Sequence, residues 1–324
     1  MLYPDNVEAE ILVHKPWFIG LFFGAVLLAF LVFDMSGTPF GELMSPVIGD
    51  PHQGGLYGRF AVALVIAVLF CINLIIIGFV PFRIQVGMVW LELLILFLAF
   101  FDTFNLSFPF IREKVPILIA QGLLTTIYIS AISSVIASVI AIIVAVAKLS
   151  NNGFAFSIAS FYTSFFRGTP LLLQIYLIYL GIPQLGWVIS AVPAGIMALS
   201  LCVGAYMSEV FRSGILSVDR GQWEASRSIA FGFGLTMRKI ILPQAIPVII
   251  PPIGNMFISM LKDSSLVSAI GVWELMFLAR TLGQSTFNHM EMLISAAVIY
   301  WIMSIGLELI QSRIERHFAR SKVR

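Results

Sequence analysis

This sequence is poor in charge. Asp, Glu, Lys and Arg together make up 11% of its 324 residues, where a soluble domain carries about 25%. With 59% of residues hydrophobic, that shortage argues against a water-soluble globule and places the chain in a bilayer. Cysteine is nearly absent. Cys71 and Cys202 both fall inside apolar runs, which gives no basis for a disulfide framework or a thiolate metal site. The four histidines are scattered without ligand spacing. There is no G-x-x-x-x-G-K-[ST] phosphate loop, no G-x-S-x-G elbow and no H-E-x-x-H pair, so an enzyme reading has little to rest on. The first apolar run follows an acidic start and lacks a small-residue cleavage site, and reads as a retained span rather than a signal peptide.

What is present is a series of long apolar runs. Eight candidate spans lie near Trp17–Phe33, Phe60–Val80, Ile84–Phe101, Ile117–Ala147, Phe161–Ile182, Val192–Phe211, Ala245–Leu261 and Met292–Ile310. Each approaches the ~20 residues that a helix needs to cross ~30 Å of hydrocarbon. The runs are continuous rather than alternating, so the expected fold is all-α and polytopic. The basic tail Arg313, Arg316, His317, Arg320, Lys322 and Arg324 favours the cytoplasm. Eight spans then put the N-terminus there too. Arg59, Arg112 and Lys114 run against this orientation.

Two parts are expected. Residues 1–110 hold three spans with few polar groups, and residues 111–324 hold five spans with clustered polar residues and prolines. Glu92, mid-span in V-W-L-E-L-L, reads either as a hydrogen-bonded glutamate packed on a neighbour or as a relay for protons or substrate. Pro243, Pro247 and Pro251 recur every four residues, with Pro252 after them. Interior prolines cost ~3 kcal/mol each in a regular helix, so the seventh span is expected to begin broken or bent.

The longest polar interlude of the second half is Arg220–Pro243, within the loop near 213–243. Asp219 and Gln222 have capping-box spacing. Trp223–Ala230 fits two helical turns, with Glu224 and Arg227 on one face. Gly232 and Gly234 are expected to end that helix. A solvated amphipathic loop on the membrane surface is the plain alternative.

E-A-S-R-S-I-A followed by I-I-L-P resembles the EAA loop of ABC-importer permeases. Glu224, Ala225, Ile240, Leu242 and Pro243 sit on motif positions. Ser226 replaces the second alanine, and Ala230 stands where a glycine is usual. Further stretches resemble the permeases for polar amino acids (histidine, glutamine, glutamate, arginine, cystine and opine type). They are F-F-R-G-T-P-L-L-L-Q at Phe165–Gln174, A-Y-M-S-E-V-F-R-S-G-I at Ala205–Ile215, L-P-Q-A at Leu242–Ala245 and L-K-D-S-S-L at Leu261–Leu266. The resemblance covers about residues 117–315 and omits the three N-terminal spans.

The resemblance implies a five-helix type I ABC-importer permease core within about eight transmembrane helices. It implies a pore-forming subunit of the bacterial inner membrane, with no catalytic residue and no cofactor of its own, moving a polar amino acid or close analogue inward. A dimer of ABC ATPase subunits would use ATP and Mg, an extracytoplasmic solute-binding protein would deliver cargo, and a second permease chain would complete the pore. Gln222, Glu224, Ala225, Ser226, Ala230, Gly232, Ile240, Leu242 and Pro243 form the expected ATPase-coupling set.

For the substrate path, ionisable and polar groups inside the core spans are the candidates. Glu209, a turn after Tyr206, reads as a partner for an α-ammonium group or as a structural ion pair with Arg212. Arg167 and Thr169 flank an irregular Gly-Thr-Pro interruption, and Arg167 reads equally as a snorkelling or gate-packing arginine. Lys262 and Asp263 read as a local pair or an outer gate. Asn255 and Ser259 share a helix face, and Gln174 is a weaker candidate. The rival function is a proton-coupled secondary transporter working through Glu92 or Glu209. A membrane enzyme is the more distant rival.

Overall fold

The computed structural model describes residues 15–38, 41–42, 55–102, 104 and 106–319. Every regular element among them is helical. Six helices are long and apolar enough to cross a membrane, a seventh span arises if one bent pair is counted together, and Pro16–Val32 is a shorter apolar helix. Seven of the eight expected spans thus fall on helices of crossing length, counting the bent pair as one, and the first falls on the shorter helix Pro16–Val32. Arg320, Lys322 and Arg324 of the basic tail lie outside the described residues.

The chain divides into two compact units, 1–105 and 106–324. The first contains α1 (Pro16–Val32), α2 (Leu56–Phe79) and α3 (Phe82–Asp102). Helices α1 and α2 pack on each other, with Phe30 and Phe70 rings 5.9 Å apart. Arg59 closes their connection on Asp34 at 2.6 Å. Val62, Ala63, Ile66 and Ala67 are the buried face of α2, an i, i+4 set with two alanines that lets backbones approach. Glu92 of α3 accepts from Asn73 Nδ2 of α2 at 3.1 Å. That pairing is the hydrogen-bonded alternative for this glutamate, which is half-buried.

The second unit holds α4 (Phe108–Leu149), α5 (Gly153–Gly168), α6 (Leu171–Leu185), α7 (Ala191–Leu216), α8 (Arg220–Ser228), α9 (Leu242–Asp263), α10 (Leu275–Thr286) and α11 (His289–Ala319). Its centre is the α4–α7 contact. Ala137, Ala141 and Ala145 are buried on α4. On α7, a Cβ added to Gly204 would meet the Ala137 carbonyl oxygen at 3.3 Å. Small residues bring the two helices close, and dispersion over that surface holds them, since lipid tails are as apolar as the side chains. The core then extends outward. Ile129, Ile175, Leu199 and Val267 join α4, α6, α7 and the turn Ser264–Ile270 after α9, while Leu118, Leu275 and Met292 join α4, α10 and α11.

Proline placement departs from expectation. Helix α4 begins nine residues earlier than expected and runs through Pro116. Its register is absorbed by the π-helical stretch Leu118–Leu123 immediately after, a wider turn that tolerates a missing N–H. Helix α9 is continuous over Leu242–Asp263 with Pro247, Pro251 and Pro252 inside it. The irregularity precedes the first proline, as a π-helical stretch at Met237–Ile241. Pro243 lies in the first turn, where no N–H is lost. The four-residue repeat keeps the other missing bonds nearly on one strip, and Ala245, Ile249 and Ile258 are buried elsewhere on the helix. Gln311 of α11 also grips it, donating to the Pro251 carbonyl at 3.1 Å.

Candidate functional site

The site grows from a helix break. After Arg167 the sequence reads Gly168-Thr169-Pro170. Proline disfavours α conformation in the residue before it, and Thr169 is extended at φ −109°, ψ 142°. The chain turns by 108° from α5 into α6. Gln174, buried on α6, braces the turn: its Nε2 reaches the Phe166 carbonyl at 2.9 Å, the Thr169 carbonyl at 3.0 Å and Thr169 Oγ1 at 2.9 Å. Carbonyls freed at membrane depth are satisfied by this one amide. Gln174 therefore shapes the site from behind.

In front of the turn is a cavity of about 480 Å³ lined by Arg167, Thr169, Tyr206 and Asp263, with Leu171, Val203 and Leu266 among its apolar walls. Four of the nine expected substrate-path residues are thus brought together from α5, the break, α7 and α9. The Arg167 guanidinium lies over the Tyr206 ring, 5.4 Å from its centroid. Arg167 and Asp263 give one cavity a fixed cation and an anion.

Glu209 lies beyond Arg167 and is committed to cations. Its carboxylate accepts from Lys148 of α4 at 2.5 Å and from Arg212 Nε at 3.1 Å, with Arg167 Nη1 at 4.0 Å. The structural ion pair is therefore the reading the geometry favours, with Lys148 as a partner that sequence spacing could not supply. Asn255 is held by Gln311 Nε2 at 3.0 Å. Ser259 is exposed on the same face of α9. Lys262 diverges from Asp263, since consecutive helical residues point ~100° apart, and it lines a different cavity.

A buried carboxylate escaped the sequence reading. Glu274 is fully buried and caps α10, accepting from Phe277 N at 2.7 Å and Met276 N at 2.9 Å. The Tyr300 hydroxyl donates to it at 2.7 Å. Burial pushes its carboxyl pKa upward, and the three donors oppose that shift. Its position directly before an apolar-periodic run was the available signal.

The segment expected to couple to an ATPase folds as a short capped helix, α8. Asp219 accepts from Gly221 N at 2.8 Å. Gln222 does not reach back as a capping box requires; its Oε1 accepts from Gln244 of α9 at 3.3 Å. The helix end also differs from expectation. Ala230, not Gly232, turns the chain, at φ +56°. Ala230 N donates to the Arg227 carbonyl at 2.9 Å and Phe231 N to the Ser226 carbonyl at 3.0 Å, the two bonds of a Schellman motif. Gly232 has an ordinary φ of −68° and starts the next turn. Ser226 is buried with its hydroxyl on the Trp223 carbonyl, which explains why only a small residue suits that position. Trp223, Ile240 and Leu242 pack against Ile215, Ile241 and Ala245. Glu224, Ala225 and Pro243 are exposed, as are Ile229 and Phe233. One face of α8 anchors it to the spans and the other is open.

Comparison with known proteins agrees with this architecture. Residues 137–320 match the family described as the binding-protein-dependent transport system inner membrane component. The arginine transport system permease protein ArtQ of Bacillus subtilis is 38% identical over 213 residues, covering 65% of this chain and 97% of that protein. The L-cystine transport system permease protein TcyB of the same organism is 40% identical over 204 residues, covering 63% and 87%. A crystal structure of an amino acid ABC transporter with histidines superposes with a TM-score of 0.62 at 36% identity, over 65% of this chain and 99% of that one. The MetNI methionine ABC transporter, at 21% identity and TM-score 0.56, shares the fold. With more than half its length matched, the chain belongs to the family of binding-protein-dependent transport system inner membrane components.

Proposed function

We propose that this chain carries a polar amino acid or close analogue into the cytoplasm, as the pore-forming subunit of an ATP-driven importer. Membership of a binding-protein-dependent family makes it a permease subunit and sets aside the proton-coupled alternative. The observation that carries the cargo reading is the cavity holding Arg167 and Asp263 together. A zwitterion needs a fork of donors for its carboxylate and an acceptor for its ammonium group, and those two side chains offer both. The apolar remainder of the wall raises the strength of each contact by excluding water. The arginine and cystine named for two relatives are of this class.

ATP and Mg act on separate ATPase subunits, a solute-binding protein delivers cargo, and a second permease chain closes the pore. The chain holds no cofactor itself. Glu224 and Ala225, on the open face of α8 beside Ile229 and Phe233, contact the ATPase. Both termini face the cytoplasm of a bacterium, where the ATPases reside. Glu209 holds Lys148 and Arg212 and stabilises the guanidinium of Arg167 from behind.

The test is uptake by proteoliposomes containing the complete transporter with ATP inside. ATP-dependent, protonophore-resistant uptake of one polar amino acid, lost on Arg167→Ala, is expected. Uptake that follows a proton gradient and ignores ATP overturns the proposal.

A further inference from the structure

Among the described residues, ten line the cavity in front of the α5–α6 bend, and two of them carry charge, Arg167 and Asp263. Three more, Thr169, Cys202 and Tyr206, have side-chain hydrogens able to bond, and each commits its own to a backbone carbonyl. Thr169 Oγ1 donates to Phe165 at 2.9 Å, Cys202 Sγ to Phe166 at 3.7 Å and the Tyr206 hydroxyl to Arg167. The Thr169 hydroxyl is also filled as an acceptor, by Gln174. Glu209 supplies no spare negative charge, because Lys148 and Arg212 occupy it.

These walls fix the charge that a guest can bring. Arg167 and Asp263 sum to zero, and the carboxylate and ammonium groups common to all α-amino acids take up both. What remains for the cargo side chain is Leu171, Val203, Leu266 and the Cys202 thiol. A charge set against such a wall has neither a counter-ion nor a free side-chain donor. Losing its water there costs far more than an uncharged group of the same length loses. The cavity therefore discriminates by charge before shape, since a charged side chain is left as a buried, unpaired ion.

We infer that the cargo of this cavity is an α-amino acid with an uncharged side chain, and that basic and acidic amino acids are refused by the permease itself. This narrows the cargo class of the proposed function and rests on that reading.

The experiment is calorimetric binding to the purified permease–ATPase complex in nanodiscs, without a solute-binding protein, so that the permease alone selects. The probes are two pairs matched in length, glutamine with glutamate and methionine with lysine. The uncharged member of each pair is expected to bind at least about tenfold more tightly than its charged partner. Leu266→Asp adds an anion to the wall and is expected to reverse the second pair in favour of lysine. Should that variant fail to fold, Leu171→Asp serves the same end. Equal binding within the pairs, or tighter binding of glutamate or lysine by the native complex, overturns the inference. So does an order in the second pair that neither aspartate changes. Proteoliposome uptake separates the failures. A complex that imports an amino acid with ATP but binds none of the probes, or prefers the charged ones, keeps the importer reading and loses this one. A complex that imports no amino acid loses both.

Discussion

The Tyr206 hydroxyl donates to the Arg167 backbone carbonyl at 3.3 Å while its ring lies under the guanidinium of the same residue. One tyrosine therefore fixes both ends of the arginine in the first cavity. Tyr206→Phe keeps the ring and is expected to change the KM for uptake by less than about twofold. Tyr206→Ala removes a cation–π contact of about 0.5–2 kcal/mol, and a rise in KM of up to about thirtyfold is expected, read from initial uptake rates.

Ala230 occupies a left-handed position that suits glycine. The strain amounts to about 1 kcal/mol, and Ala230→Gly is expected to stabilise the end of α8 by about that amount. Slower hydrogen exchange at the Ala230 and Phe231 amide positions is the readout. Ala230→Val is expected to speed it.

Breaking the Glu209 cluster tests its structural role. Glu209→Gln leaves the half-buried Lys148 ammonium facing a neutral amide, at an expected cost of about 1–3 kcal/mol. A double-mutant cycle with Lys148→Met, followed by thermal unfolding in detergent, should recover much of that loss. Additive losses would show that the two groups do not interact.

Gly122 packs against the start of α10, where an added Cβ would fall 2.8 Å from Leu275 Cα. The obstacle is backbone, so relief requires moving a helix. Gly122→Ala is expected to destabilise by about 1–3 kcal/mol, again read by thermal unfolding, whereas Gly168→Ala meets no atom within 4 Å and should be nearly neutral.

The exposed side of α8, proposed to contact the ATPase, has its own test. Glu224→Lys is expected to remove the ATPase from a mild-detergent pull-down while leaving the helical content of the chain unchanged, because Glu224 is exposed and no span packs on it.

Local chemistry was legible in the sequence and long-range pairing was not. Asp219 as a cap, the spans and the break at Gly168–Pro170 follow from residue type and spacing within one or two turns. The end of α8 was misplaced because glycines at 232 and 234 outweighed an alanine whose left-handed turn is imposed by its surroundings. Gln174 was read as facing cargo because nothing local shows that it folds back on Phe166 and Thr169. Lys148 and Glu209 are 61 positions apart, and no periodicity links them. The prolines of α9 misled for a related reason. Their individual cost is real, yet regular spacing and contacts from α11 allow the helix to continue.

The bend between α5 and α6 has a consequence for synthesis. Helix α5 has 16 residues, about 24 Å at 1.5 Å per residue, which is short of the ~30 Å that a membrane-spanning helix must bridge. Neither half is suited to leave the translocon by itself as a stable crossing, and the carbonyls at the bend need Gln174 before they are rid of water. The segment is therefore expected to wait at the translocon until α7 emerges, with α4 already in place to receive both halves. Stalling translation before residue 191 and again after residue 216 should reveal the change, as a fifth span that is extractable by alkali in the first case and integrated in the second.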